Sequence, residues 1–252
     1  MSPSPGSMPP PLEAPLPDVP KMSELGRLVG VFVSPGQAFK DIVRRPRWWV
    51  PVLISAVVVT GYLYSISQHV GWDQIVRSQM ERSAAFRNLP AQQRQNTMAL
   101  QLRILPYITY FAGLVGSLLN LLVVAAVLKF LADVILGAGI GFKRLMGITA
   151  YGFLPNTLMA VLATIVMYLT PPDEFDMNNP LMFNLGALVS SPPWLKALGA
   201  SFDLFSLWVM VLLSIGMAAA SRKMSAGKAF FMLLFPWALI VIMRVGVAAL
   251  FG

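Results

Sequence analysis

Residues 105–136 read LPYITYFAGLVGSLLNLLVVAAVLKFLADVIL. The run is longer than the roughly 20 apolar residues that cross a hydrocarbon core of about 30 Å. A second long run, 145–169, begins after only Gly137 to Arg144. Two such runs joined by a short glycine-rich turn carrying Lys143 and Arg144 predict a membrane hairpin, and the remaining apolar runs must pack around it. Three of these follow from the same length argument, at about 50–67, 198–220 and 229–251. With the hairpin's own helices at about 108–136 and 145–169, the expected fold is all-α: a polytopic membrane bundle of five transmembrane helices over residues 48–252.

Composition agrees. The chain of 252 residues is 56% hydrophobic and only 12% charged, with a mean hydropathy of +0.67, against about 25% charged residues in soluble domains. The net charge of +8 is scattered between apolar runs, without the clustered face that phosphate binding needs, so no nucleic-acid partner is expected. There is no cysteine and one histidine, His69. Thiolate chemistry is therefore excluded, and no metal or other cofactor is expected.

Residues 1–20 hold eight of the 20 prolines and few large apolar side chains. Residues 1–22 are therefore expected to form a disordered tail; a proline-rich ligand for an aromatic groove is the alternative. From 23 to 47, Leu25, Leu28, Val29, Phe32, Phe39, Ile42 and Val43 recur at helical spacing among polar neighbours that include Arg27. Ser34, Pro35 and Gln37 resemble a cap, a first-turn proline and a capping-box glutamine, so a second short helix starts there. This stretch is too polar to span. The expectation is an interfacial amphipathic pair with Lys40, Arg44, Arg45 and Arg47 toward anionic headgroups; a face packed on a soluble partner is the alternative. Trp48, Trp49 and Pro51 then mark a headgroup-level entry.

Basic turns at 143–144 and 222–228, an acidic loop with Asp173, Glu174 and Asp176 between them, and a basic N-terminal segment give one orientation. The N-terminus is expected to be cytoplasmic and the C-terminus outside. Residues 71–103 carry Arg77, Arg82, Arg87, Arg94 and Arg103 on the outer side, against that rule, and Pro90 is expected to divide them into two short helices.

Charged groups at bilayer depth need a partner, water or an escape to the interface. Asp203 and Arg244 fall near the outer ends of the fourth and fifth spans and are expected to pair. Lys129 and Asp133, one turn apart, are expected to pair along their own helix. Asn120 and Asn156 both fall near the middle of the central hairpin, where an interhelical amide bond is expected, unless Asn156 repairs backbone freed by Pro155. Gly113, Gly116 and Ser117 form a small-residue face, and Pro106, Pro155 and Pro236 are expected to kink their helices. No phosphate loop, HExxH, serine elbow or spaced acid pair occurs. His69 with Asp73 reads as a loop pair, not a dyad. No catalytic residue is assigned.

Several short motifs carry a family resemblance: Ser34-Pro-Gly-Gln-Ala-Phe39 before the basic, tryptophan-rich entry to Pro51, then Tyr151-Gly-Phe-Leu-Pro155, Phe202-Asp-Leu-Phe-Ser-Leu-Trp208 and Lys228-Ala-Phe230. Over roughly 23–250 the chain resembles a bacterial member of the Yip domain family. The resemblance implies five spans with a cytoplasmic N-terminus, in a bacterial inner membrane. It implies, for eukaryotic members, a role in vesicle trafficking and binding of Rab-type GTPases, with a cytosolic N-terminal domain and an Asp-Leu-Tyr-Gly-Pro motif; the stretch before residue 23 is short and proline-rich and Asp203-Leu-Phe-Ser stands in a different setting, so GTPase binding is not carried over. The functional expectation is a non-enzymatic scaffold that organises lipid bilayer or recruits partners. A small transporter or channel using the polar groups named above is the alternative.

Overall fold

The computed structural model describes residues 21–82, 84–176, 179–189 and 191–251, and the proline-rich tail at 1–20 lies outside the described residues. The fold is an all-α membrane bundle. Four segments are long and apolar enough to cross a membrane: Trp49–His69, Ala91–Ile135, Phe142–Leu169 and Ala226–Leu250. A fifth apolar helix, Leu204–Ala220, has 17 residues.

Helix α1 (Glu24–Val33) starts where Ser23 Oγ accepts the Gly26 amide at 3.0 Å. Helix α2 (Pro35–Arg44) follows a single linking residue, Ser34. The turn begins with proline as expected, but the Ser34 side chain makes no capping bond. The missing N–H and fixed φ of Pro35 suffice to start the helix.

Helix α3 (Trp49–His69) is followed by α4 (Trp72–Arg82) and α5 (Ala84–Arg87). Helix α6 (Ala91–Phe111) then runs through a π-helical turn at Ala112–Gly116 into α7 (Ser117–Leu136). The stretch after Pro90 is therefore not a separate short helix. Nothing between Ala91 and Leu105 is glycine or proline, so helix propensity extends the second span beyond its apolar part. Helix α7 ends in a left-handed αL cap: Gly137 has φ +54° and its amide bonds to Asp133 O, while the Ala138 amide bonds to Ala132 O. That conformation favours glycine.

Helices α8 (Phe142–Gly152) and α9 (Leu154–Leu169) are one apolar crossing broken at Phe153. Pro155 has no amide to give to the carbonyl four residues back and its ring crowds that carbonyl, which places the break. Pro106 and Pro236 lie inside continuous helices. The region expected as the fourth span divides into α10 (Pro193–Ser201) and α11 (Leu204–Ala220). Helix α12 (Ala226–Phe251) ends the described chain.

Helices α8 and α11 are central. Leu145, Ile148, Tyr151, Leu212, Leu213 and Met217 are buried together with Val31, Phe39 and Ile42 of the N-terminal pair. Glycine makes this approach possible: a Cβ on Gly152 would lie 2.7 Å from Leu213 Cδ2. At one end, Lys223 Nζ donates to Gly137 O at 3.0 Å and joins the two basic turns. At the other, Ile66, Ile75, Met167 and Phe175 form a small second core, and Gln74 Nε2 donates to Pro172 O at 2.7 Å. Large apolar residues such as Phe111, Phe130, Phe235 and Ile242 remain exposed on the outside, the surface that lipid covers without penalty.

Candidate functional site

The structure does not bring Asp203 and Arg244 together. Depth counted along an unbroken helix from 198 misplaces Asp203, because the chain breaks just before it. Asp203 instead caps α11, its Oδ2 accepting the Ser206 amide at 2.8 Å. Arg244 is exposed and has no ion-pair partner among the described residues. Asp203→Ala is therefore expected to cost about 1 kcal/mol, as for a lost cap, and Arg244→Ala close to nothing. Urea or SDS titration of the double variant should give the sum, since the two sites share no contact.

Lys129 and Asp133 do form an ion pair along α7, with each side chain more than a third exposed. Asn120 and Asn156 do not hydrogen-bond each other, and Asn156 does not repair the backbone at Pro155. Both line one cavity of about 150 Å³ between α3, α7 and the α8–α9 break. Ser55 Oγ and Thr157 Oγ1 share a 2.6 Å hydrogen bond at its wall, and Ser117 Oγ donates to Gly113 O at 2.5 Å. Of the small-residue face, Gly113 is used: a Cβ there would lie 2.8 Å from Leu63 Cδ1. A Cβ on Gly116 would meet nothing.

The most strongly built polar cluster ties the N-terminal pair to the bundle. Helices α1 and α2 pack antiparallel about Ser34, so Arg27 and Asp41, each seven residues from the turn, meet. Arg27 is 2% exposed and Asp41 3%. The guanidinium donates from Nε to Asp41 Oδ2 at 2.6 Å, and from Nη1 to Glu24 Oε1 at 3.2 Å and Arg45 O at 3.1 Å. Glu24 also accepts from Tyr151 OH of α8 at 2.8 Å and from Arg47 Nη1 at 3.1 Å. Burial alone lowers the pKa of Arg27, but the hydrogen bond and charge of Asp41, with the charge of Glu24, hold it above the ordinary arginine value. Arg27 therefore stays a cation, and its guanidinium is met by acceptors of its own fold.

The apolar face of the pair is taken up by the bundle. Phe39 and Ile42 pack at Gly216 and Gly147, and the Phe32 ring meets Trp208 edge to face, centroids 5.5 Å apart. Lys40, Arg44, Arg45 and Arg47 are all exposed. Periodicity marks the amphipathic pair, but only the equal spacing of Arg27 and Asp41 about the Ser34-Pro35 turn signals the buried ion pair. Among the described residues no group of three or more His, Asp or Glu is placed to hold a metal ion.

The Yip1 domain family model matches residues 29–247 of the chain. Membrane protein YknW of Bacillus subtilis (strain 168) is 28% identical over 201 residues, covering 77% of this chain and 78% of that protein. No solved structure matches.

Proposed function

The chain belongs to the Yip1 domain family, and on that premise we propose that it is a non-enzymatic membrane-organising protein of a bacterial inner membrane, its N-terminus cytoplasmic and its C-terminus outside. The α1–α2 pair acts as a re-entrant hairpin that enters the cytoplasmic leaflet and does not cross it. The observation that carries this reading is the placement of the hairpin along α11. Phe39 lies at Gly216 and Phe32 at Trp208, which are about 6 and 18 Å from the end of α11 at Ala220 by helical rise. Polar groups at its base and apolar ones toward its tip match that gradient. Arg27, Asp41, Arg44, Arg45 and Arg47 fall at headgroup level, while Val29 and Val33, 52% and 77% exposed, face outward.

Backbone at this depth is tolerated because both segments are helical and one face rests on protein. The outward apolar face adds volume to one leaflet only, and each basic side chain near an anionic surface contributes about 1 kcal/mol of attraction. Lipid organisation and recruitment of a partner both use that outward face. The transporter reading has the Asn120–Asn156 cavity in its favour. Against it, Asp203 and Arg244 lie elsewhere, and the polar groups do not form one route through the described residues.

Because the chain has no cysteine, single-cysteine variants report without background. In vesicles containing phosphatidylglycerol, Lys40→Cys is expected to react rapidly with a membrane-impermeant maleimide on the cytoplasmic face. Val33→Cys should stay protected, and a bimane on it should be quenched by brominated acyl chains. Equal labelling of the two positions would sink the re-entrant reading, and solute flux through intact vesicles without change of their shape would favour the transporter.

A further inference from the structure

We infer that the cavity between α3, α7 and the α8–α9 break binds the uncharged polar end of a membrane lipid, a hydroxyl- or carbonyl-bearing group with no phosphate, through the carboxamides of Asn120 and Asn156. The inference does not depend on the role of the N-terminal hairpin.

Three observations carry it. The first is unmet hydrogen-bonding capacity. Ser55, Thr157 and Ser117 satisfy one another or nearby backbone, whereas neither carboxamide has a partner among the described residues. Each offers two N–H donors and an acceptor oxygen. The second is depth. Ser55 and Val59 line the cavity at six and ten residues past Trp49, hence about 9 and 15 Å below the tryptophan level by helical rise. Water is scarce there, and an unpaired amide is costly. The third is the lining's charge and size. No Asp, Glu, Lys, Arg or His lines the cavity, so a phosphate would enter without a counter-charge. Its volume of about 150 Å³ is of the order that holds one benzene ring. Asn120 and Asn156 are themselves exposed on the bundle's outer surface, so the cavity opens sideways and a ligand arrives through lipid. The break at Phe153 and the π turn at Ala112–Gly116 flank it, and π turns recur at functional sites.

Two lipid sources share this chemistry, a diacylglycerol and an isoprenoid quinone. The full-length protein, purified in maltoside detergent, is titrated with dioleoylglycerol, with a decyl-substituted benzoquinone and with phosphatidylglycerol as control, following the midpoint of thermal unfolding. At least one neutral probe should raise the midpoint saturably, and the probe that does so identifies the source. Phosphatidylglycerol should not. Asn120→Leu and Asn156→Leu should each weaken the apparent Kd at least tenfold. Without ligand, each variant should melt no lower than wild type, because an apolar side chain replaces an unpaired amide on a lipid-facing surface. Val52→Phe, which fills the cavity and leaves both carboxamides in place, should abolish the response. No response to either neutral probe, an equal response to phosphatidylglycerol, or full binding retained by both asparagine variants would overturn the inference.

Discussion

Arg27→Ala is expected to destabilise the protein by about 3–5 kcal/mol, the range for removing one partner of a buried ion pair. The guanidinium is 2% exposed and supplies three hydrogen bonds: to Asp41, to Glu24 and to the carbonyl of Arg45. Without it, Asp41 is left as a buried carboxylate with no cation, and Glu24 keeps only Tyr151 and Arg47. Because the neighbouring carboxylates hold the Arg27 pKa above its ordinary value, no accessible pH discharges it. The cost should therefore be insensitive to any titration of Arg27 itself. Asp41→Ala should cost a similar amount. The double variant Arg27→Met, Asp41→Leu should recover most of it, since apolar replacement of both partners is often neutral or stabilising by about 1–4 kcal/mol. A complete double-variant cycle by SDS titration measures the coupling, and strictly additive losses would mean that the pair makes no direct contribution. In Arg27→Ala the hairpin should also come loose, with labelling of Val33→Cys rising toward that of Lys40→Cys.

This result would weigh heavily on how the sequence encodes the fold. Five apolar runs, two basic turns, the Lys129–Asp133 pair and the amphipathic character of 23–45 are local patterns, readable because length, charge and helical period each act over a few turns. The Arg27–Asp41 pair joins two helices across a turn. Each residue alone reads as an ordinary polar position on an amphipathic face, and nothing in the period says that this part of the face is buried. Asp203 fails for a related reason. One helix from 198 to 220 would set its depth, and the chain breaks there because Asp203 satisfies a helix N-terminus better than it fits a helix interior. The asparagines were legible as residues of one region. Their common cavity was not, since it depends on how the break at Phe153 turns α9 relative to α3.

Gly216→Val carries the second large effect. A Cβ at Gly216 would lie 2.5 Å from Ile148 Cγ2 and 3.0 and 3.1 Å from Cδ1 and Cε1 of Phe39. Ile148 and Phe39 are both fully buried. Ile148 is β-branched and stiff at χ1, so the clash is not relieved by a swinging side-chain end. Even Gly216→Ala sets a gain in helix propensity of about 1 kcal/mol against overpacking of about 1–3 kcal/mol, and should destabilise. Valine adds two further methyl groups at the point where α2, α8 and α11 meet, and a loss of about 3 kcal/mol or more is expected. Because the hairpin rests on the bundle along one face only, with Val29 and Val33 exposed on the other, it should yield first: Gly216→Val should raise labelling of Val33→Cys toward that of Lys40→Cys while α8 and α11 stay packed. Gly227→Val is the control, since a Cβ on Gly227 meets nothing within 4 Å. Ile148→Ala, which removes the clashing methyl group, should cost less in the Gly216→Ala background than in wild type. If Gly216→Val instead unfolds at the wild-type SDS fraction with Val33→Cys still protected, the hairpin does not pack on α11 at Gly216, and the re-entrant placement falls with it.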